Sequence, residues 1–120
     1  MQVICELIQL KPGKEKEYIN LHNNTWPELI KEIRRVGFIE EYIFMFGQLI
    51  IIILKSKNVV ESKNKLAKAG VYNRWTKIVQ SMLIFDKELF QSNKTIIDLK
   101  PIWNLNDFDK EGKPKTACNN

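Results

Sequence analysis

Residues 39–54 read IEEYIFMFGQLIIIIL. Ile39 to Phe46 and Leu49 to Leu54 are dense in β-branched and aromatic residues, and Gly47-Gln48 separates them as a two-residue turn, so the stretch predicts a β-hairpin. Successive side chains on a strand point to opposite faces, yet Ile50 to Ile53 are aliphatic at every position, so both faces of the resulting sheet are apolar. One layer of helices covers only one of them. The other calls for a further apolar surface, and a second copy of the chain, a homodimer, is the simplest source.

The flanking sequence supplies the helices and the remaining strands. Upstream, Gln2 to Leu10 predicts a first strand that Pro12-Gly13 ends. Between Lys14 and Val36, apolar residues at Tyr18, Leu21, Leu29, Ile30, Ile33 and Val36 keep helical spacing, but Asn23-Asn24 and Pro27 break it into two pieces. Thr25 with Glu28 three residues on predicts a capping box for the second piece, and Gly37 offers the left-handed position that closes it. Downstream, Asn58 opens a second helical region, punctuated by Gly70, whose later part carries a stripe of Val71, Trp75, Ile78, Val79 and Met82. Thr95 to Leu99 predicts a last strand before Pro101, with Ile102 and Trp103 extending the edge. The order strand, helix, strand, strand, helix, strand is that of a ferredoxin-like split βαβ sandwich, in the α+β class. Residues 1–105 form a single domain in this reading, and the polar residues 106–120 a flexible tail.

Composition narrows the function. A chain of 120 residues, 44% hydrophobic and 28% charged, holds one core of ordinary globular type. The longest apolar run, Leu49 to Leu54, is too short to span a bilayer, and no secretory leader pattern opens the chain, so a cytoplasmic protein without a membrane partner is expected. Cys5 and Cys118 form neither a disulfide framework nor a CxxC spacing. The net charge of +5 is spread along the chain, with Arg34-Arg35 the densest basic pair, and Leu49 to Leu54 has none of the aromatics on which an RNA-binding sheet stacks bases. No nucleic-acid partner is expected.

Candidate chemistry gathers at Glu17 to Leu29, which holds the only histidine. Tyr18 and His22 stand four residues apart on one helical face, where a phenol and an imidazole share a cavity, and imidazole exchanges protons near neutrality. By spacing alone, a packing or surface role for His22, Tyr18 and Trp26 is the favoured reading. One histidine excludes a multi-histidine zinc centre, and no nucleotide-binding or serine-hydrolase motif occurs, so neither a metal nor a cofactor is expected. Cys5 with His22 as its base is conceivable, although a cysteine in an apolar strand reads as packing. Glu40 and Glu41 are neighbours on a strand, so at most one enters a cavity, and Trp75 offers a flat surface for the C–H face of a sugar.

These residues give the chain a resemblance to the L-rhamnose mutarotase family, including its L-fucose mutarotase branch. Glu17-Tyr18, His22 and Trp26-Pro27-Glu28 match the family's signature, Ile43 to Ile50 is similar to its extended segment, Val71 and Trp75 match the later helix, and Ile102 to Leu105 resembles the closing strand. The resemblance implies a dimeric α/β barrel that interconverts the α and β anomers of a 6-deoxy-L-hexose, a monosaccharide, by acid–base ring opening and closing, without a cofactor. It implies His22 as the proton donor and Tyr18 and Trp75 as substrate contacts, with Glu41 or Tyr42 at a third and Trp26 helping to orient the ring. Glu41 stands where rhamnose-type members carry tyrosine, and Thr76 follows Trp75 where they often pair two tryptophans, which points towards L-fucose. The alternative on the same barrel is a cofactor-free monooxygenase-like or non-catalytic ligand-binding protein.

Overall fold

The computed structural model describes residues 1–84 and 95–115, and Cys118 and the end of the expected tail lie outside the described residues. The elements run β1 (Gln2–Gln9), α1 (Glu15–Asn23), α2 (Pro27–Arg35), β2 (Phe38–Phe46), β3 (Leu49–Ser56), α3 (Val59–Leu66), α4 (Gly70–Gln80) and β4 (Ile97–Leu99). All pairings are antiparallel and the sheet order is β2-β3-β1-β4, the α+β ferredoxin-like arrangement expected.

The break between α1 and α2 falls where the sequence puts it, but by another cap. Pro27 takes the first position of α2, where a missing N–H costs nothing, which makes Trp26 the capping residue. Thr25 is therefore not part of a capping box: its hydroxyl donates to the His22 carbonyl at 2.5 Å and closes α1 instead. Gly37, at φ 111, ends α2 in a conformation that side chains resist, and a Cβ there would meet the Ser62 hydroxyl at 3.0 Å.

A β-bulge decides what β2 presents. Phe38 lies opposite Ser56 and Glu40 opposite Lys55, so Ile39 is an extra residue without its own partner. Unbroken alternation from Phe38 would turn Glu40 inward; the extra residue turns Glu41 inward instead, opposite Leu54. The inner face thus carries Ile4, Glu6 and Ile8 of β1, Ile50, Ile52 and Leu54 of β3, and Phe38 and Glu41 of β2, and the helices pack on it in three apolar clusters. Cys5, Leu7, Tyr42, Phe44, Ile51 and Ile53 occupy the opposite, open face.

Two expectations are corrected. Ile78 does not join the α4 stripe, because the inward direction runs through Trp75 and Val79, and a residue one step before Val79 lies about 100° round the helix. The edge does not extend to Ile102 and Trp103: β4 stops at Leu99 before Pro101, and Ile102 is 90% exposed. Beyond it, residues 105–115 form a local turn, in which Asp109 Oδ1 accepts from the Glu111 and Lys113 amides and the Lys115 amide donates to the Asp107 carbonyl.

Candidate active site

Between the inner sheet face and the helices lies a cavity of about 490 Å³. Its floor is Glu6, Ile8 and Ile52, with Glu41 and Ile43 at the β2 side, where both are exposed and the cavity opens. Tyr18 and His22 of α1 and Tyr72 and Trp75 of α4 form the opposite wall.

Helical periodicity brings the aromatic wall together. Tyr18 and His22, one turn apart, have ring centroids 4.3 Å apart, and the His22 ring meets Trp75 edge-on at 5.2 Å. His22 Nδ1–H donates to the Tyr18 carbonyl at 2.9 Å, so the open lone pair of the neutral imidazole is on Nε2. Burial lowers the His22 pKa below its ordinary 6.5, only partly offset by that backbone bond, so the ring is neutral at pH 7. Burial, reinforced by Glu41, holds the Tyr18 phenol far above its ordinary range, which makes Tyr18 a hydrogen-bond donor and not a base. Tyr72 is raised in the same way by burial, Glu6 and Glu41.

Glu41 behaves oppositely to an ordinary surface glutamate. Although it keeps contact with solvent at the mouth, protein crowds out much of its hydration, and the charge of Glu6 adds repulsion, raising its carboxyl to about 7. The cavity therefore holds a neutral imidazole and a carboxyl that retains a proton near neutrality.

Of the candidates from sequence, the structure brings Tyr18, His22, Glu41 and Trp75 to one cavity. Two others stand elsewhere. Trp26 does not line the cavity; as the cap of α2 it packs edge-on behind Trp75 at 5.2 Å and steadies that indole. Tyr42 lies on the open face, where its hydroxyl donates to Glu40 Oε1 at 2.9 Å, because it follows the inward Glu41 on the strand. Cys5 is also on the open face, which separates it from His22. Among the described residues no group of three His, Cys, Asp or Glu is placed to hold a metal ion, and no helix is long and apolar enough to cross a membrane.

Sequence reasoning missed Glu6, Lys63 and Tyr72. Glu6 had a signal, a charge at the centre of the otherwise apolar series Ile4, Ile8 and Leu10. Lys63 had none, sitting among other lysines on α3.

A neutral imidazole, a proton-bearing carboxyl and an aromatic wall line one cavity, groups able to exchange protons with a bound ligand, and the protein is an isomerase that acts on sugar anomers. The family model for L-rhamnose mutarotase matches residues 3–105, and the chain belongs to that family. The L-rhamnose mutarotase of Burkholderia cenocepacia (strain HI2424) is 30% identical over 76 residues, 62% of this chain and 73% of that relative. The L-rhamnose mutarotase of Burkholderia ambifaria (strain MC40-6) is 36% identical over 45 residues, 38% of this chain and 43% of that relative. Among solved structures, the L-rhamnose mutarotase FA22100 from Formosa agariphila superposes with a TM-score of 0.69 at 18% identity, over 87% of this chain and 98% of that one. An antibiotic biosynthesis monooxygenase superposes with a TM-score of 0.56 at 10% identity, over 85% and 99%, and shares the fold alone.

Proposed function

We propose that this chain interconverts the anomers of a 6-deoxy-L-hexose, with L-rhamnose as its substrate. The family model and the named relatives all carry that sugar, and nothing in the comparisons supports the leaning towards L-fucose drawn from Glu41 and Thr76. The observation that carries the chemistry is a neutral His22 and a protonated Glu41 lining one cavity.

Ring opening needs a proton removed from the anomeric hydroxyl and one delivered to the ring oxygen. His22 Nε2 takes the first and Glu41 gives the second, which leaves an imidazolium, a carboxylate and the open aldehyde. After rotation about the C1–C2 bond, the ring oxygen attacks the other carbonyl face. Glu41 recovers its proton, and His22 returns its own to the new anomeric oxygen. The resemblance gives His22 as the proton donor; with its pKa lowered by burial, His22 is instead the base on opening and donates only on closing, to the anomeric oxygen. Trp75 supports the ring face, and Tyr18 and Tyr72 donate to hydroxyl oxygens.

Residues 1–105 are the catalytic domain in this reading, acting in the cytoplasm as a homodimer that buries the open sheet face. The test is polarimetry of freshly dissolved L-rhamnose and L-fucose with and without the protein, supported by NMR saturation transfer between anomers. The reading predicts faster exchange of L-rhamnose than in buffer; equal rates for both sugars with and without protein would sink it.

A further inference from the structure

We infer that Glu6, held by Lys63, is a sugar-binding residue on the cavity floor that selects the arrangement of hydroxyls on the substrate. The inference rests on the mutarotase reading above. Glu6 is only 6% exposed, at the centre of the inner face, opposite Ile52 and between Ile4 and Ile8. Its neighbours on β1 and β3 are aliphatic and its partner on β4 is the exposed Asp98, so a leucine would serve the packing, and a buried carboxylate beside a second acidic residue carries a cost that packing does not need. Its charge is balanced by Lys63, which reaches over from α3 and donates from Nζ to Oε2.

That contact occupies one carboxylate oxygen. Oε1 accepts no hydrogen bond among the described residues, and Glu6 lines the cavity, which leaves this oxygen as the one available to a ligand there. A fixed carboxylate oxygen facing a cavity is an acceptor for a hydroxyl, and its rigidity makes it selective. Glu41 lies across β3, two residues along from Glu6, so the floor offers one fixed acceptor and one proton-exchanging carboxyl at different points beneath the ring. A sugar that turns a C–H bond towards Glu6 Oε1 leaves that buried oxygen unpaired and is disfavoured.

The test compares Glu6→Gln, Glu6→Leu and Lys63→Met with the unaltered protein. Turnover and direct binding, by tryptophan fluorescence titration, are measured on L-rhamnose, L-fucose and L-galactose, and folding is checked by circular dichroism. Glu6→Leu should weaken binding of the preferred sugar by about 10- to 100-fold, the value of one charge-assisted hydrogen bond, and should flatten the preference among the sugars. Glu6→Gln, which keeps an acceptor oxygen and covers the case in which the leucine variant does not fold, should retain part of both. Lys63→Met should loosen the preference less than Glu6→Leu does. Unchanged affinity and preference in a folded Glu6→Gln or Glu6→Leu protein overturns the proposal. Sugar binding by the unaltered protein without faster anomer exchange sinks the mutarotase reading while the affinities still decide the role of Glu6; no binding of any of the three sugars overturns both.

Discussion

The two faces of one sheet differ in what interrupts their apolar surface. On the inner face, Glu6 stands in the middle of a covered layer and Glu41 at the mouth of its cavity, and the chain accepts there a buried carboxylate held by a half-exposed lysine and a displaced carboxyl pKa. On the open face, Tyr42, Phe44, Ile51 and Ile53 continue with no buried charge, and Phe44 and Phe46 stand more than half exposed. Charge buried where apolar residues would pack marks chemistry, and apolar surface exposed where charge would dissolve better marks association.

The sharpest way to break this contrast is at the inner wall. His22→Ala should lower the anomer exchange rate by about 10²- to 10⁴-fold, the usual contribution of one positioned acid or base, with the fold intact by circular dichroism. Exchange in the unaltered protein should follow a bell-shaped pH profile. Its acid limb lies below 6.5, where His22 protonates, and its alkaline limb is near 7, where Glu41 loses its proton. A flat profile would separate both groups from the chemistry.

On the open face, Phe44→Glu places a charge where a partner sheet would cover it, on a side chain already solvent-exposed within one chain. The monomer should fold unchanged, and sedimentation should show a dimer weakened by about 100-fold or more. A single sedimentation species identical in both proteins would mean that this face is not the interface.

The contrast between faces was only half legible in the sequence. The hairpin at Gly47, the helix break at Pro27 and the apolar run Ile50 to Ile53 are local signals, each read from chemistry within a few residues, and they fixed the element order and the need for cover on two faces. Tyr18 and His22 were legible for the same reason, since four-residue spacing is a helix's own geometry. What stayed hidden depends on register. The bulge at Ile39 decides between Glu40, Glu41 and Tyr42, and it exists only in the pairing with β3. The Glu6–Lys63 contact joins residues 57 apart in the chain, and the separation of Trp26 from the cavity follows from how α2 packs on α4.

Glu41→Gln tests the inner face by stability. In the folded chain this carboxyl holds its proton up to about 7, against an ordinary 4.5, so the native state binds more protons than the unfolded chain between those values and stability falls as pH rises through them. Glutamine removes that loss. The variant should match the unaltered protein in urea unfolding at pH 4 and exceed it modestly at pH 8, the partial exposure of the site keeping the gain small, while its exchange activity drops.

The smallest expected effect belongs to the next residue along. Tyr42→Phe removes only the exposed hydrogen bond to Glu40, so the urea unfolding midpoint should not move measurably and the KM for the sugar should stay within about two-fold. Glu41 and Tyr42 are chemically both able to touch a sugar, and only the extra residue at Ile39 sends one inward and the other out. If Tyr42→Phe raised KM while Glu41→Gln left rate, pH profile and stability untouched, the strand would be presenting its opposite side to the cavity, and the assignment of the two faces would have to be reversed.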